Sequence, residues 1–105
     1  MSPRENERRS IFRSTVGGVM TDEVGAVTGD LELATQPDAE GFLRVFVRYV
    51  GAGEWYTVVG SPISPDRCSP PAELHEHVVE YLSIPGPVVE GNEEPTSLRG
   101  FPRPG

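Results

Sequence analysis

Phe42-Leu43-Arg44-Val45-Phe46-Val47-Arg48-Tyr49-Val50 is the stretch whose reading decides the fold. In a strand, alternate residues point to opposite sides. One side then carries Leu43, Val45, Val47 and Tyr49, which is a core face. The other carries Phe42, Arg44, Phe46 and Arg48, a mixture that is neither core nor ordinary surface.

The neighbours of this strand complete an antiparallel ribbon. Gly51-Ala52-Gly53 suits a hairpin turn, because glycine supplies the positive φ that a short connection needs. Residues 54 to 60 are rich in aromatic and β-branched types and read as the return strand. Upstream, residues 24 to 35 alternate, with Val27, Leu31 and Leu33 on one side and Asp30, Glu32 and Ala34 on the other. Gly29-Asp30 marks a bulge or a break within them, and residues 36 to 41 form a loop with a Pro start and a Gly exit. Residues 11 to 20 fit a short strand or a helical turn equally well, followed by a polar turn at Thr21-Asp22-Glu23.

Downstream, prolines 62, 65, 70 and 71 make residues 61 to 71 stiff and extended. A helix is predicted to start there, with Ser69 as N-cap, Pro70 in the first helical position and Glu73 near the positive dipole end. Leu74, Val78, Tyr81 and Leu82 give it one apolar stripe, and Pro85-Gly86 stops it at about Leu82 or Ser83. Strands followed by one helix define a small α+β domain. Its sheet would be antiparallel with three to four strands, the helix packed on one face and both termini disordered.

The chain has 105 residues, and apolar residues concentrate between 11 and 85. The expected organisation is a flexible tail over 1–10, one domain over 11–85 and a Pro/Gly-rich tail over 86–105, in which Val88-Val89 could add a short strand. So small a domain buries only about 60% of its unfolded surface. One cysteine, Cys68, rules out an intrachain disulfide and suits a reducing compartment. Without an apolar run of signal-peptide or membrane-span length, the expectation is a soluble cytoplasmic protein. The net charge is −7 and all nine basic residues are arginine. A pI near 4.7 argues against sequence-independent nucleic-acid binding, and lysine chemistry is excluded.

A register follows from requiring apolar residues to share a side. Leu33 opposite Leu43 sets Glu32 against Arg44 as a cross-strand ion pair. Val50 opposite Glu54 sets Tyr49 beside Trp55 and Val45 beside Val59, all on the helix side. The opposite face then collects Phe42, Arg44, Phe46, Arg48, Tyr56 and Val58. Exposed aromatic patches with arginine between them often mark contacts. The alternative is that residues 11 to 24, or the tail near Val88-Val89, fold over this face.

Other chemistry is weak. His75-Glu76-His77 places two imidazoles about 200° apart on a helix, so they cannot share a metal; His77 is expected to flank the apolar stripe and His75 to face solvent. Cys68 lies before the helix start, where a thiol pKa can fall, although a small anchoring residue explains it as well. Gly51-Ala52-Gly53 lacks the final glycine of a dinucleotide loop and joins two strands. Gly60-Ser61-Pro62 lacks the second glycine of a nucleophile elbow. Pro62-Ile63-Ser64-Pro65 matches PxxP but leads into a helix. Glu73, Glu76 and Glu80 are a solvated face. The expected function is therefore a non-catalytic interaction module that needs no cofactor or metal. It would bind a protein partner, an acidic peptide in particular, or itself as a homodimer. The alternative is a small-molecule site or weak enzyme with a pocket near Arg67, Cys68 and His75.

Overall fold

A computed structural model describes residues 7–15, 17–64, 71–83 and 95–100 of the chain. Among these residues six strands and one helix follow in order: β1 (Arg8–Arg13), β2 (Val19–Thr21), β3 (Gly25–Val27), β4 (Asp30–Pro37), β5 (Leu43–Tyr49), β6 (Tyr56–Thr57) and α1 (Pro71–Ser83), with a 3-10 turn at Leu98–Gly100. The main sheet is antiparallel, in the order β1-β4-β5-β6, and β2 and β3 form a separate hairpin. This is an α+β fold, with one helix among the described residues.

The period-2 pattern of the two central strands decides where the core lies. Leu31, Leu33 and Thr35 of β4 and Leu43, Val45 and Val47 of β5 are almost wholly buried. Phe12 of β1 and Val58, which follows β6, extend the same layer. Helix α1 covers it with Leu74, Val78 and Leu82, four residues apart and thus on one stripe. Val19 and Val27 of the β2–β3 hairpin join this core. Gly18, which leads into β2, has φ +80°, and a Cβ there would lie 2.4 Å from the Val27 carbonyl oxygen. Only glycine permits so close an approach in that conformation.

Several expectations are corrected. Residues 24 to 35 are not one strand: of the two alternatives at Gly29-Asp30 the break is found, β3 pairs with β2, and β4 runs on through Pro37 into the expected loop. The first strand begins at Arg8, so Arg8, Arg9 and Ser10 belong to the sheet and not to a tail. Residues 95–100, expected in a tail, dock on the domain. The Leu98 N–H donates to the Val59 carbonyl, the Thr96 N–H donates to the Gly18 carbonyl, and Leu98 is buried. The β4–β5 register is displaced by four residues, with Leu33 opposite Val47 and Glu32 opposite Arg48. An even displacement leaves every side chain on its expected face.

The β5–β6 register differs by one residue, which is the larger correction. Tyr56 lies opposite Val47 and Thr57 opposite Phe46. A one-residue slip reverses every face. Val58 is therefore core, Tyr56 packs against the core, and Trp55 moves to the arginine side. The cause is the backbone beyond β6. Val58 donates to the Val45 carbonyl, the chain then bulges through Gly60, and pairing resumes at Ile63 with Leu43. The expected helix cap at Ser69-Pro70, Arg67, Cys68 and Val88-Val89 lie outside the described residues.

Candidate functional site

The face of the sheet turned away from α1 is built from rows of residues that cross the strands. One row is Arg9, Ala34, Phe46 and Thr57, and the next is Ile11, Glu32 and Arg48. Arg13 pairs with Asp30 beyond them, and Gln36 with Arg44 on the other side. Phe46 and Arg48 are half-buried, while Ile11 and Arg44 are exposed, in contrast to the closed core side.

Trp55 organises this surface. The Arg48 guanidinium carbon lies 4.5 Å from the indole centroid and that of Arg9 lies 5.3 Å away. These arginines come from strands on either side of β4, so the indole spans that strand. Ala34, the small residue β4 presents here, is only 1% exposed. Cations over an indole face are attracted by its quadrupole, by about 0.5–1 kcal/mol at exposed sites.

The arginines are held in place. Arg48 donates from Nε and Nη2 to Glu32 Oε1, at 2.6 and 2.5 Å, and from Nη1 to the Ala52 carbonyl at 3.0 Å. Arg9 donates to Glu7 Oε2, whose Oε1 accepts from Gln36. Arg13 meets Asp30 and Arg44 meets Asp38. In each of these four pairs the guanidinium is more exposed than its carboxylate, for example 47% against 18% for Arg9 and Glu7. On this face each arginine is thus matched by a carboxylate and is the more accessible member of the pair, in a chain that carries −7. At its β6 border, Glu23 accepts hydrogen bonds from the Thr57 N–H and hydroxyl. Partial burial works against the Glu23 carboxylate, but those bonds prevail and lower its pKa.

A second feature lies on the core side. His75 is 2% exposed and hydrogen-bonded through both ring nitrogens, Nε2 to Ser10 Oγ and Nδ1 to Thr35 Oγ1, each at 2.7 Å. This reverses the expectation for the two histidines, since His77 is exposed. Burial lowers the His75 pKa, with Glu76 acting to raise it and Arg8 to lower it further. Beside it, a cleft of about 350 Å³ is lined by Arg8, Arg9, Ser10, His75 and Glu76, among others. A serine hydroxyl against an imidazole resembles half of a nucleophile–base arrangement. The group orienting the imidazole is a buried threonine hydroxyl, which supplies no charge to stabilise an imidazolium. What the chain Ser10–His75–Thr35 does achieve is to tie α1 to β1 and β4.

Of the residues expected at the partner face, Phe42 precedes β5, half-buried, with its N–H bonded to Asp38, while Arg44, Phe46 and Arg48 lie on this side. Tyr56 and Val58 do not. Trp55, Arg9 and Ile11 were missed. The available signal was that moving the last hairpin by one residue sets Trp55 beside Arg48, a favourable cross-strand pair. Among the described residues, no group of three His, Cys, Asp or Glu could hold a metal ion, and no helix is long and apolar enough to cross a membrane. Comparison of the chain with family models, characterised proteins and solved structures returned no match.

Proposed function

We propose that this domain is a protein-interaction module that binds an acidic segment of a partner through the arginine/aromatic face of its sheet. The observation that carries the reading is Trp55 set between Arg9 and Arg48, with each guanidinium already ion-paired and oriented. Such ordering lowers the entropy lost on binding. Aromatic and arginine side chains supply most of the energy at protein interfaces. Arg44 and Arg13, exposed at the margins, suit carboxylates of the partner.

Phe46→Glu tests the reading. Its side chain is half-buried on this face and its backbone stays in β5, so the variant keeps its circular dichroism spectrum and loses about 1–2 kcal/mol of stability. A partner captured by the wild-type domain from host lysate is expected to be lost with the folded variant. Unfolding of Phe46→Glu, or unchanged capture, would contradict the proposal.

A further inference from the structure

We propose that the outer edge of β1 accepts an extended acidic segment as an added antiparallel strand, with the pattern acidic-x-apolar-x-acidic. This rests on the reading of the adjoining face as a protein-binding surface and specifies how the partner is held.

The hydrogen-bond parity of the sheet sets the geometry. In an antiparallel ladder each residue directs its N–H and C=O to the same side of its strand, and successive residues alternate. The Ser14 N–H donates to the Gly29 carbonyl, and the Val50 N–H donates to the Asp30 carbonyl. Odd-numbered residues of β4 therefore bond to β1, and even-numbered ones to β5. With the observed register, Arg8, Ser10 and Phe12 turn their backbone groups toward β4. Arg9, Ile11 and Arg13 turn theirs outward.

The two edges of the sheet are unlike. Beyond β6, the Val59 N–H donates to the Met20 carbonyl and the Asp22 N–H to the Thr57 carbonyl, so that edge is capped by β2 and its turn. Among the described residues, no strand pairs with the outer edge of β1. An open edge is a template for strand addition.

Side chains then select the occupant. Arg9, Ile11 and Arg13 also project onto the arginine/aromatic face, and Ile11 is 66% exposed. Partner residues opposite them share that face, so carboxylates belong opposite Arg9 and Arg13 and an apolar side chain opposite Ile11. A second copy fits poorly. Antiparallel pairing centred on Ile11 would set Arg9 against Arg13 of the other copy, and like charges directly opposite are destabilising. The arginines thus discourage self-pairing while favouring an acidic strand.

The probe is a fluorescein-labelled peptide, Thr-Glu-Thr-Val-Thr-Glu-Thr, titrated with the full chain by fluorescence anisotropy. Binding is expected, with a loss of about tenfold or more when both glutamates become lysine. N-methylation of the central valine removes a donor facing β1 and is expected to weaken binding by about tenfold, whereas N-methylation of a flanking central threonine, which points away, is tolerated. On the protein side, Ile11→Pro deletes only an outward N–H at an edge position and is expected to abolish binding, while Ile11→Thr retains it. Because the N-methyl peptides leave the protein untouched, they decide the matter even if Ile11→Pro fails to fold. Equal binding of both N-methyl peptides, or no binding up to roughly 1 mM, would overturn strand addition. A dimer in sedimentation that Ile11→Thr keeps and Ile11→Pro loses would overturn the acidic occupant in favour of a second copy. A partner whose capture depends on Phe46 but survives Ile11→Pro would defeat strand addition alone. Capture indifferent to Phe46→Glu would defeat the underlying face reading.

Discussion

Val58→Asp is expected to abolish the cooperative thermal transition, whereas Trp55→Ala is expected to leave a folded domain with a modestly lower Tm. Val58 is fully buried in the cluster formed by Val45, Val47 and Val78, and the described structure offers no counter-charge inside that cluster. Burying an unpaired carboxylate costs more than about 4 kcal/mol. Small domains have only about 5–15 kcal/mol in total, and those of this size lie toward the lower end. Trp55 is partly exposed on the opposite face, and its removal costs about 1–2 kcal/mol through lost stacking with Arg9 and Arg48. The same variant should weaken partner binding about tenfold or more. Thermal denaturation followed by circular dichroism separates the two. A folded Val58→Asp beside an unfolded Trp55→Ala would place Trp55 in the core and reverse the faces of the last strand.

His75→Ala should cost about 2–4 kcal/mol. It leaves the Ser10 and Thr35 hydroxyls without their imidazole partner and opens a cavity between α1 and the sheet. The pH dependence identifies the cause. The folded pKa of His75 lies below its ordinary value near 6.5, so the unfolded chain binds the proton more readily. Its contribution is therefore complete above about pH 6.5 and declines as the pH falls toward the folded value. Glu23, whose folded pKa is also lowered, adds a further loss only below about pH 4.5. Denaturant titrations between pH 7 and 5 should show wild-type stability falling on acidification and the His75→Ala slope flattened. Equal slopes would mean that His75 does not titrate across unfolding.

The contrast between what could be read from the residues and what could not has a physical basis. The two central strands were legible because Leu31 and Leu33 alternate with Asp30, Glu32 and Ala34, and Leu43 and Val47 are flanked by Arg44 and Arg48, and period 2 identifies faces whatever the exact pairing. That is why a four-residue error between β4 and β5 changed the partner of Glu32 from Arg44 to Arg48 without moving either side chain. The last hairpin had no such protection. Trp55, Tyr56, Val58 and Val59 are all apolar, so either parity buries a hydrophobic pair, and the choice is made by backbone bonds to Met20 and Val45. The bond to Met20 joins segments far apart in the chain. The docking of Leu98 is equally hidden, since one leucine in a polar segment has no period. His75 lies three and seven residues before Val78 and Leu82 and so borders the buried stripe, but the hydroxyls that make burial of its ring tolerable come from β1 and β4 and leave no local signal. As a result, the arginine half of the candidate face was visible in β5, while the indole that organises it and the strand that borders it were not.

Strand addition requires that the outer edge of β1, which no strand among the described residues pairs with, be open and turn alternate backbone groups outward. Residue-resolved amide hydrogen exchange on the free domain tests this directly. Slow exchange at Ser10 and Phe12 with fast exchange at Arg9, Ile11 and Arg13 is the predicted pattern. Protection of all five amides would show that the edge is already occupied, and would contradict the proposed mode of partner binding.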